Sequence, residues 1–179
     1  GVWHAGHAEV FHDRGFGEAG MGGALEGSAV LVAQEGVRRL EAGDYAKGYL
    51  DLLAKLTTVG EVTEPMFLDQ VRFFGSEAGG DYAILVVPNR DESTILATGT
   101  LVVERKLIHG CGRVGHVEDV VVLPEARGQG LGHRVVSALV DEAKSRGCYK
   151  VILDCAEENK GFYEKAGMRQ KEVQMVRYL

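Results

Sequence analysis

The sequence has little of what would stiffen, cross-link or embed a chain. Only 3 prolines and 3 cysteines occur in 179 residues. Cys111, Cys148 and Cys155 are odd in number and form no C-x-x-C pair, which argues against a disulfide framework and a thiolate zinc site and predicts a reducing compartment. No apolar run approaches the roughly 18 to 20 residues of a membrane span. The N-terminus also lacks the basic-then-apolar layout of a secretory signal, so no membrane partner is expected. Positive charge is short too: 20 Lys+Arg against 26 Asp+Glu give a formal net charge of −6, which speaks against nucleic acid as a partner. The histidines His4, His7, His12, His116 and His133 have no spaced partner ligands, so no metal is expected. The remainder, 45% apolar and 26% charged, is the balance of one globular domain with a sizeable core.

Glycine is in excess at 25 residues, and nine of these fall in the first 36 positions. That stretch shows little apolar periodicity and reads as an extension, targeting or disordered, ahead of a domain over 37–179. Within the domain, residues 37–40 alternate as a short strand, and Gly43-Asp44 predicts a turn and helix cap. Tyr45, Tyr49, Leu52, Leu53 and Leu56 then share one helical face as far as Gly60. Thr63-Glu64-Pro65 opens a second helix, with Thr63 as cap, that carries Phe67, Val71 and Phe74. Strands are predicted over 82–87, 94–104 and 116–123 as an antiparallel meander, with a Gly-rich loop at 110–112. Leu131, Val135, Leu139 and Ala143 predict a helix stopped by Gly147. The run 149–154 reads as a strand buried on both faces and flanked by core cysteines. Asn159 is expected to cap a helix through Ala166, and 168–179 to form a last strand. The resulting order is βααβββαβαβ.

The segment from Val120 through Arg127-Gly128-Gln129-Gly130-Leu131-Gly132 leads from a strand through a Gly-rich loop into a helix. Unpartnered N–H groups at a helix start suit a pyrophosphate, glycines allow its close approach, and Arg127 adds charge. A dinucleotide-binding reading would use Asp154 as its acid. Against it, four residues separate Leu123 from Gly128, and His133 stands where the third glycine should be.

Arg127-x-x-Gly130-x-Gly132 in this element order resembles the coenzyme A loop of the GNAT superfamily of acyl-CoA-dependent N-acyltransferases. The stretches 56–60, 97–100, 104–109 (Glu-Arg-Lys-Leu-Ile-His), 115–120 (Gly-His-Val-Glu-Asp-Val), 147–155 and 159–167 resemble successive motifs of its eukaryotic glucosamine 6-phosphate N-acetyltransferase family. The resemblance implies an α/β (α+β) fold with a mixed, mostly antiparallel sheet flanked by helices. It also implies direct acetyl transfer from acetyl-CoA to the 2-amino group of glucosamine 6-phosphate, feeding UDP-N-acetylglucosamine synthesis. Residues 127–132, Val120, Val122 and Asn159 would hold the coenzyme, and Tyr163 would serve the leaving sulfur. Glu118, Asp119 and Asp154 would face the sugar, with Glu118 and Asp154 as catalytic acids or bases. Because neighbouring strand residues point to opposite faces, only one of Glu118 and Asp119 is expected in the cleft. Thr57, Lys106, His109, Lys150 and Arg177 would bind phosphate. Tyr149-Lys150 would reach a partner's site, implying a homodimer with shared active sites. A cytoplasmic location is expected, or a peroxisome-like organelle if an N-terminal signal is present. Two rival readings are a GNAT enzyme for another amine and an acyl-CoA-binding module without catalysis.

Overall fold

The structure, a computed structural model, describes Gly36–Tyr178. Residues 1–35 of the predicted extension, and Leu179, lie outside the described residues. One five-stranded sheet organises the chain: β1 (Arg38–Arg39), β2 (Tyr82–Pro88), β3 (Ile95–Arg105), β4 (Arg113–Val122) and β5 (Cys148–Ile152) lie in that spatial order. The first three pairings are antiparallel, and β4–β5 is parallel. Helix α4 (Leu131–Ser145) covers one face, packing Leu131, Val135, Leu139 and Ala143 on Leu85, Leu101 and Val117. This is the predicted stripe, and burying it is what stabilises an amphipathic helix. On the other face, α1 (Tyr49–Leu53) and α2 (Glu64–Phe74) bury Tyr49, Leu52 and Phe67 against Val86, Ile95 and Val121. A short turn with left-handed backbone at His109, Gly110 and Cys111, labelled α3 (Ile108–Cys111), leads into the predicted Gly-rich loop, and α5 (Lys160–Lys165) closes the order. Among the described residues no helix is long and apolar enough to cross a membrane.

Several local expectations yield to packing. The single helix expected from Tyr45 to Leu56 is broken at Gly48, whose φ of 74° ends a 3-10 segment at Ala42–Lys47 before α1 begins. A positive φ costs glycine nothing, so the break falls there. Asp44 is no simple cap. Wholly buried, it takes both guanidinium nitrogens of Arg38 at 2.8 and 2.7 Å and the N–H of Glu41 at 2.9 Å. Burial opposes its ionisation, but these donors and Lys47 overcome that and hold the carboxyl below its ordinary range. Thr63 precedes α2 with Pro65 in the first turn, yet its hydroxyl makes no capping bond. Asn159 makes none either, because a 3-10 turn (Glu157–Asn159) runs straight into α5.

Two larger corrections concern the end of the chain. Strand β5 is an edge strand, not a strand buried on both faces: Tyr149, Lys150 and Ile152 are exposed. Cys155 is exposed and Cys148 only half-buried, so neither is a core residue. The strand expected over 168–179 does not form within the described residues. Residues 168–178 form neither helix nor strand, and Val173, Met175, Val176 and Tyr178 face solvent. A strand needs a neighbour's N–H and C=O groups as much as its own β-propensity.

Candidate active site

Strand β4 carries the site through two irregularities. Its ladder with β5 ends at the His116–Ile152 pair. From Val117 to Val122 the edge facing β5 therefore has no strand partner, although β4 continues. The second irregularity is a β-bulge: Thr98 pairs with Val121 and Thr100 with Glu118, so Gly99 alone opposes Asp119 and Val120. Asp119 adopts φ 52° to make it, a conformation that Asp tolerates better than most residues. An added methyl on Gly99 would stand 2.8 Å from Leu139 Cδ1 and 2.9 Å from Val135 Cγ1. Helix α4 is therefore seated directly over the bulge.

The bulge overturns the expectation that Glu118 and Asp119 point to opposite faces. Val117 packs beneath α4, and so do Val120 and Val122, whereas Val121 joins Tyr49 and Phe67 on the other side. The extra residue leaves both carboxylates on the face away from α4. Asp119 lies near enough to the buried Tyr49 phenol for its charge to act there, and burial and that charge together push the phenol up to about 12. Burial, followed by the charge of Asp119, raises Glu118 above the ordinary carboxylate range, and Asp154 pushes the same way. Asp154, two residues past β5, accepts a hydrogen bond from Gln174 Nε2 at 3.1 Å on Oδ2. Among the described residues none of these three carboxylates forms an ion pair.

The same face carries polar groups of the other kind. Register places Glu104 and Val114, Val102 and His116, and Thr100 and Glu118 opposite one another. It sets Lys150 beside Val114 on β5. Glu104 accepts from Lys106 Nζ at 2.5 Å and lies 2.9 Å from His116 Nε2. Nearby, His109 (φ 52°) lays its ring 4.5 Å from that of Tyr149, with Lys150 Nζ 5.9 Å from the same ring. Thr57, four residues past α1, and Arg177, in the tail, are exposed. Of the predicted phosphate ligands, Lys106, His109 and Lys150 are on or beside the β3–β4–β5 face. Glu104 and His116, neither of which the motifs single out for the site, stand beside Lys106 on this face. The Glu104-x-Lys106 spacing could have suggested them, since alternate strand residues share a face.

The glycine loop arrives from the other side. Gly128 and Gly130 have φ of 79° and 75°, and a Cβ on either would meet nothing within 4 Å. The first turn of α4 begins with Gly130 accepting from the Arg134 N–H. The N–H groups of Leu131, Gly132 and His133 are thus left without helical partners. Arg127 and Gln129 are exposed beside them. Leu131 instead sends its side chain into the core. Gly132 sits close against α5, since an added methyl would lie 3.0 Å from the Phe162 ring. His133 stacks on the same ring at 4.4 Å. The adjacent Tyr163, half-buried, packs edge-on against Phe162, and burial, followed by Cys155, raises its phenol. Asn159 is exposed at the start of α5 with its side-chain amide uncommitted to capping.

Residues 47–168 match the model of the acetyltransferase (GNAT) family. A probable glucosamine 6-phosphate N-acetyltransferase 2 of Oryza sativa subsp. japonica is 50% identical over 159 residues, covering 84% of this chain and 94% of its own. The glucosamine 6-phosphate N-acetyltransferase of Arabidopsis thaliana is 46% identical over 145 residues, with 79% and 95% covered. The crystal structure of the Arabidopsis enzyme superposes with a TM-score of 0.76, covering 79% of this chain and 96% of that one.

Proposed function

From the premise that the chain belongs to the GNAT family and within it to the glucosamine 6-phosphate N-acetyltransferases, we propose how its open sheet face performs that reaction. Acetyl passes from acetyl-CoA to the 2-amino group of D-glucosamine 6-phosphate, giving N-acetylglucosamine 6-phosphate and CoA. One observation carries the acceptor side: a single face has a carboxylate pole (Glu118, Asp119, Asp154) and, farther along the same strands, a lysine–histidine pole (Lys106, His116, Lys150). A hexose with an ammonium at one end and a phosphate at the other matches those poles.

Acetyl-CoA brings an activated acyl group, and the chain's residues fit its parts. The free amides of Leu131, Gly132 and His133, the cradle of Gly128 and Gly130, and Arg127 with Gln129 suit the pyrophosphate. The unpartnered edge of β4 at Val120 and Val122 suits an extended amide-bearing arm that takes the place of a strand. The Val120 N–H, at the bulge, is the donor we assign to the developing oxyanion. Asn159 supplies a further amide.

On the acceptor side, the raised proton affinity of Glu118 lets it draw a proton from the ammonium, while Asp119 and Oδ1 of Asp154 hold that group in place. The amine nitrogen bonds to the acyl carbon as the C–S bond breaks, and the second proton that the nitrogen sheds on becoming an amide balances the one the sulfur takes up to leave as the thiol of CoA. Tyr163, kept protonated by its burial, hydrogen-bonds or protonates the departing sulfur. Lys106, His109, Lys150 and, from flanking segments, Thr57 and Arg177 are assigned to the phosphate. Release of free thiol from acetyl-CoA tests the assignment. It is expected with glucosamine 6-phosphate and to be at least about tenfold weaker with unphosphorylated glucosamine or a polyamine. Equal release with a polyamine would overturn the acceptor assignment, and coenzyme binding without release from any acceptor would favour the non-catalytic reading.

The assembly we propose is a homodimer with shared active sites. Support comes from the outer edge of β5, where Tyr149 and Ile152 are exposed, and from the apolar tail residues Val173, Met175, Val176 and Tyr178, also exposed. Exposed apolar groups gathered at an open sheet edge call for a covering chain. Sedimentation equilibrium at micromolar concentration is expected to give twice the chain mass. A fully active monomer would remove this assignment. No membrane association is proposed, and the compartment we assign is the cytoplasm.

A further inference from the structure

We propose that Glu104 is the positioning residue of the acceptor site's anion pole, holding Lys106 and His116 together so that the site prefers a phosphorylated acceptor. This rests on the function proposed above. Its own observations are the two contacts of a single carboxylate, one oxygen on Lys106 Nζ at 2.5 Å and the other 2.9 Å from His116 Nε2.

Topology makes Glu104 suited to that task. Lys106 lies beyond the end of β3, next to α3, where Leu107 and Ile108 are exposed. The Lys106 N–H bonds the Gly112 carbonyl, and its ammonium donates to Glu104. A lysine carries several rotatable bonds, and leaving it free would put the whole entropic cost of fixing them at the moment of binding. Glu104 has already restricted it. Glu104 is diagonal to His116 across the β3–β4 ladder, within the reach of long side chains. One acid can therefore set a flexible cation and a ring in fixed relation. An ammonium has three donors, and only one is spent on Glu104, so two remain for phosphate oxygens. The lysine–glutamate pair of protein kinases works on the same logic, with an acid that never touches phosphate placing the lysine that does.

The pole also sits at the right distance from the amine chemistry. His116 and Glu118 are two residues apart on one face of β4, and Glu104 is four residues from Thr100, which faces Glu118. At about 3.3 Å per residue, the poles are separated by roughly 7 to 13 Å, the scale of a single sugar ring with its substituents. A carboxylate beside a phosphate site also repels phosphate, so the assignment predicts a sign: if placement outweighs repulsion, removing the acid weakens phosphosugar binding.

The experiment compares wild type, Glu104→Gln, Lys106→Met and the double variant. Glu104→Gln is expected to raise KM for glucosamine 6-phosphate about tenfold. Its KM values for acetyl-CoA and for unphosphorylated glucosamine should stay unchanged, as should its thermal midpoint. Because Glu104 acts through Lys106, the double variant should be little worse than Lys106→Met alone. A lower KM for the phosphosugar in Glu104→Gln, an equal rise for both sugars, or fully additive losses would each overturn the inference. If wild type binds acetyl-CoA but does not acetylate the phosphosugar, the proposed function falls and takes this inference with it. If wild type is active and Glu104→Gln behaves like it, only the inference falls.

Discussion

Replacing Tyr163 with Phe is expected to lower kcat about 100-fold, within the usual contribution of a positioned general acid. The KM for acetyl-CoA should change by less than about threefold, as for an interaction made only in the transition state. The ring itself stays, because its neighbour Phe162 packs edge-on against it at 4.8 Å and is anchored in turn on Gly132 and His133. What leaves is one hydroxyl whose burial holds it in the protonated form. A thiolate departing without that donor must leave as the free anion, and the rate difference measures that cost. Steady-state kinetics with acetyl-CoA and glucosamine 6-phosphate check it. An unchanged kcat would remove Tyr163 from the mechanism. A large rise in the KM for acetyl-CoA would make it a binding residue instead.

Glu118→Gln should cost about as much, roughly 100-fold in kcat, through loss of the proton acceptor. It should also change stability in the opposite direction. Glu118 is raised in the folded protein by burial and by the carboxylates of Asp119 and Asp154, so the native state keeps its proton over a window where the unfolded chain has lost it. In that window stability falls as pH rises. Above the raised value the native state carries the full unfavourable contribution of an ionised Glu118. The Gln variant has no such proton to lose, so its stability relative to wild type should grow from the ordinary carboxylate range upward and then level off. Denaturant midpoints at several pH values read this directly. A variant less stable than wild type at neutral pH would show that Glu118 is held by favourable contacts rather than crowded by like charges.

The helix stripes and the glycine loop were readable in the sequence because their determinants are local. Leu131, Val135, Leu139 and Ala143 bury themselves through a spacing that any reader of the chain can count, and the φ values of Gly128 and Gly130 are what a strand-to-helix turn requires. Misreadings arose where the deciding contact lies outside the local pattern that was read. Asp44 reads as a cap because capping is the common use of an acid beside a turn, but Arg38 and burial make it an interior anchor. Strand β5 reads as interior because Val151-Ile152-Leu153 is apolar, yet whether a second neighbour lies alongside is not written in those residues.

By itself, the sequence determined the family, the element order up to α5 apart from the turn α3 and the 3-10 segment ahead of α1, and the residue types available for chemistry, since periodicity, loop glycines and motif order are properties of short stretches. Tertiary structure decided how those residues are grouped. Placing Glu118 and Asp119 on one face depends on Gly99 opposing two residues of a strand some twenty positions later. Joining Glu104 to His116 depends on the same ladder's register. Where a bulge falls is set by how two separate segments pack under one helix, and neither segment's own alternation shows the position of the extra residue.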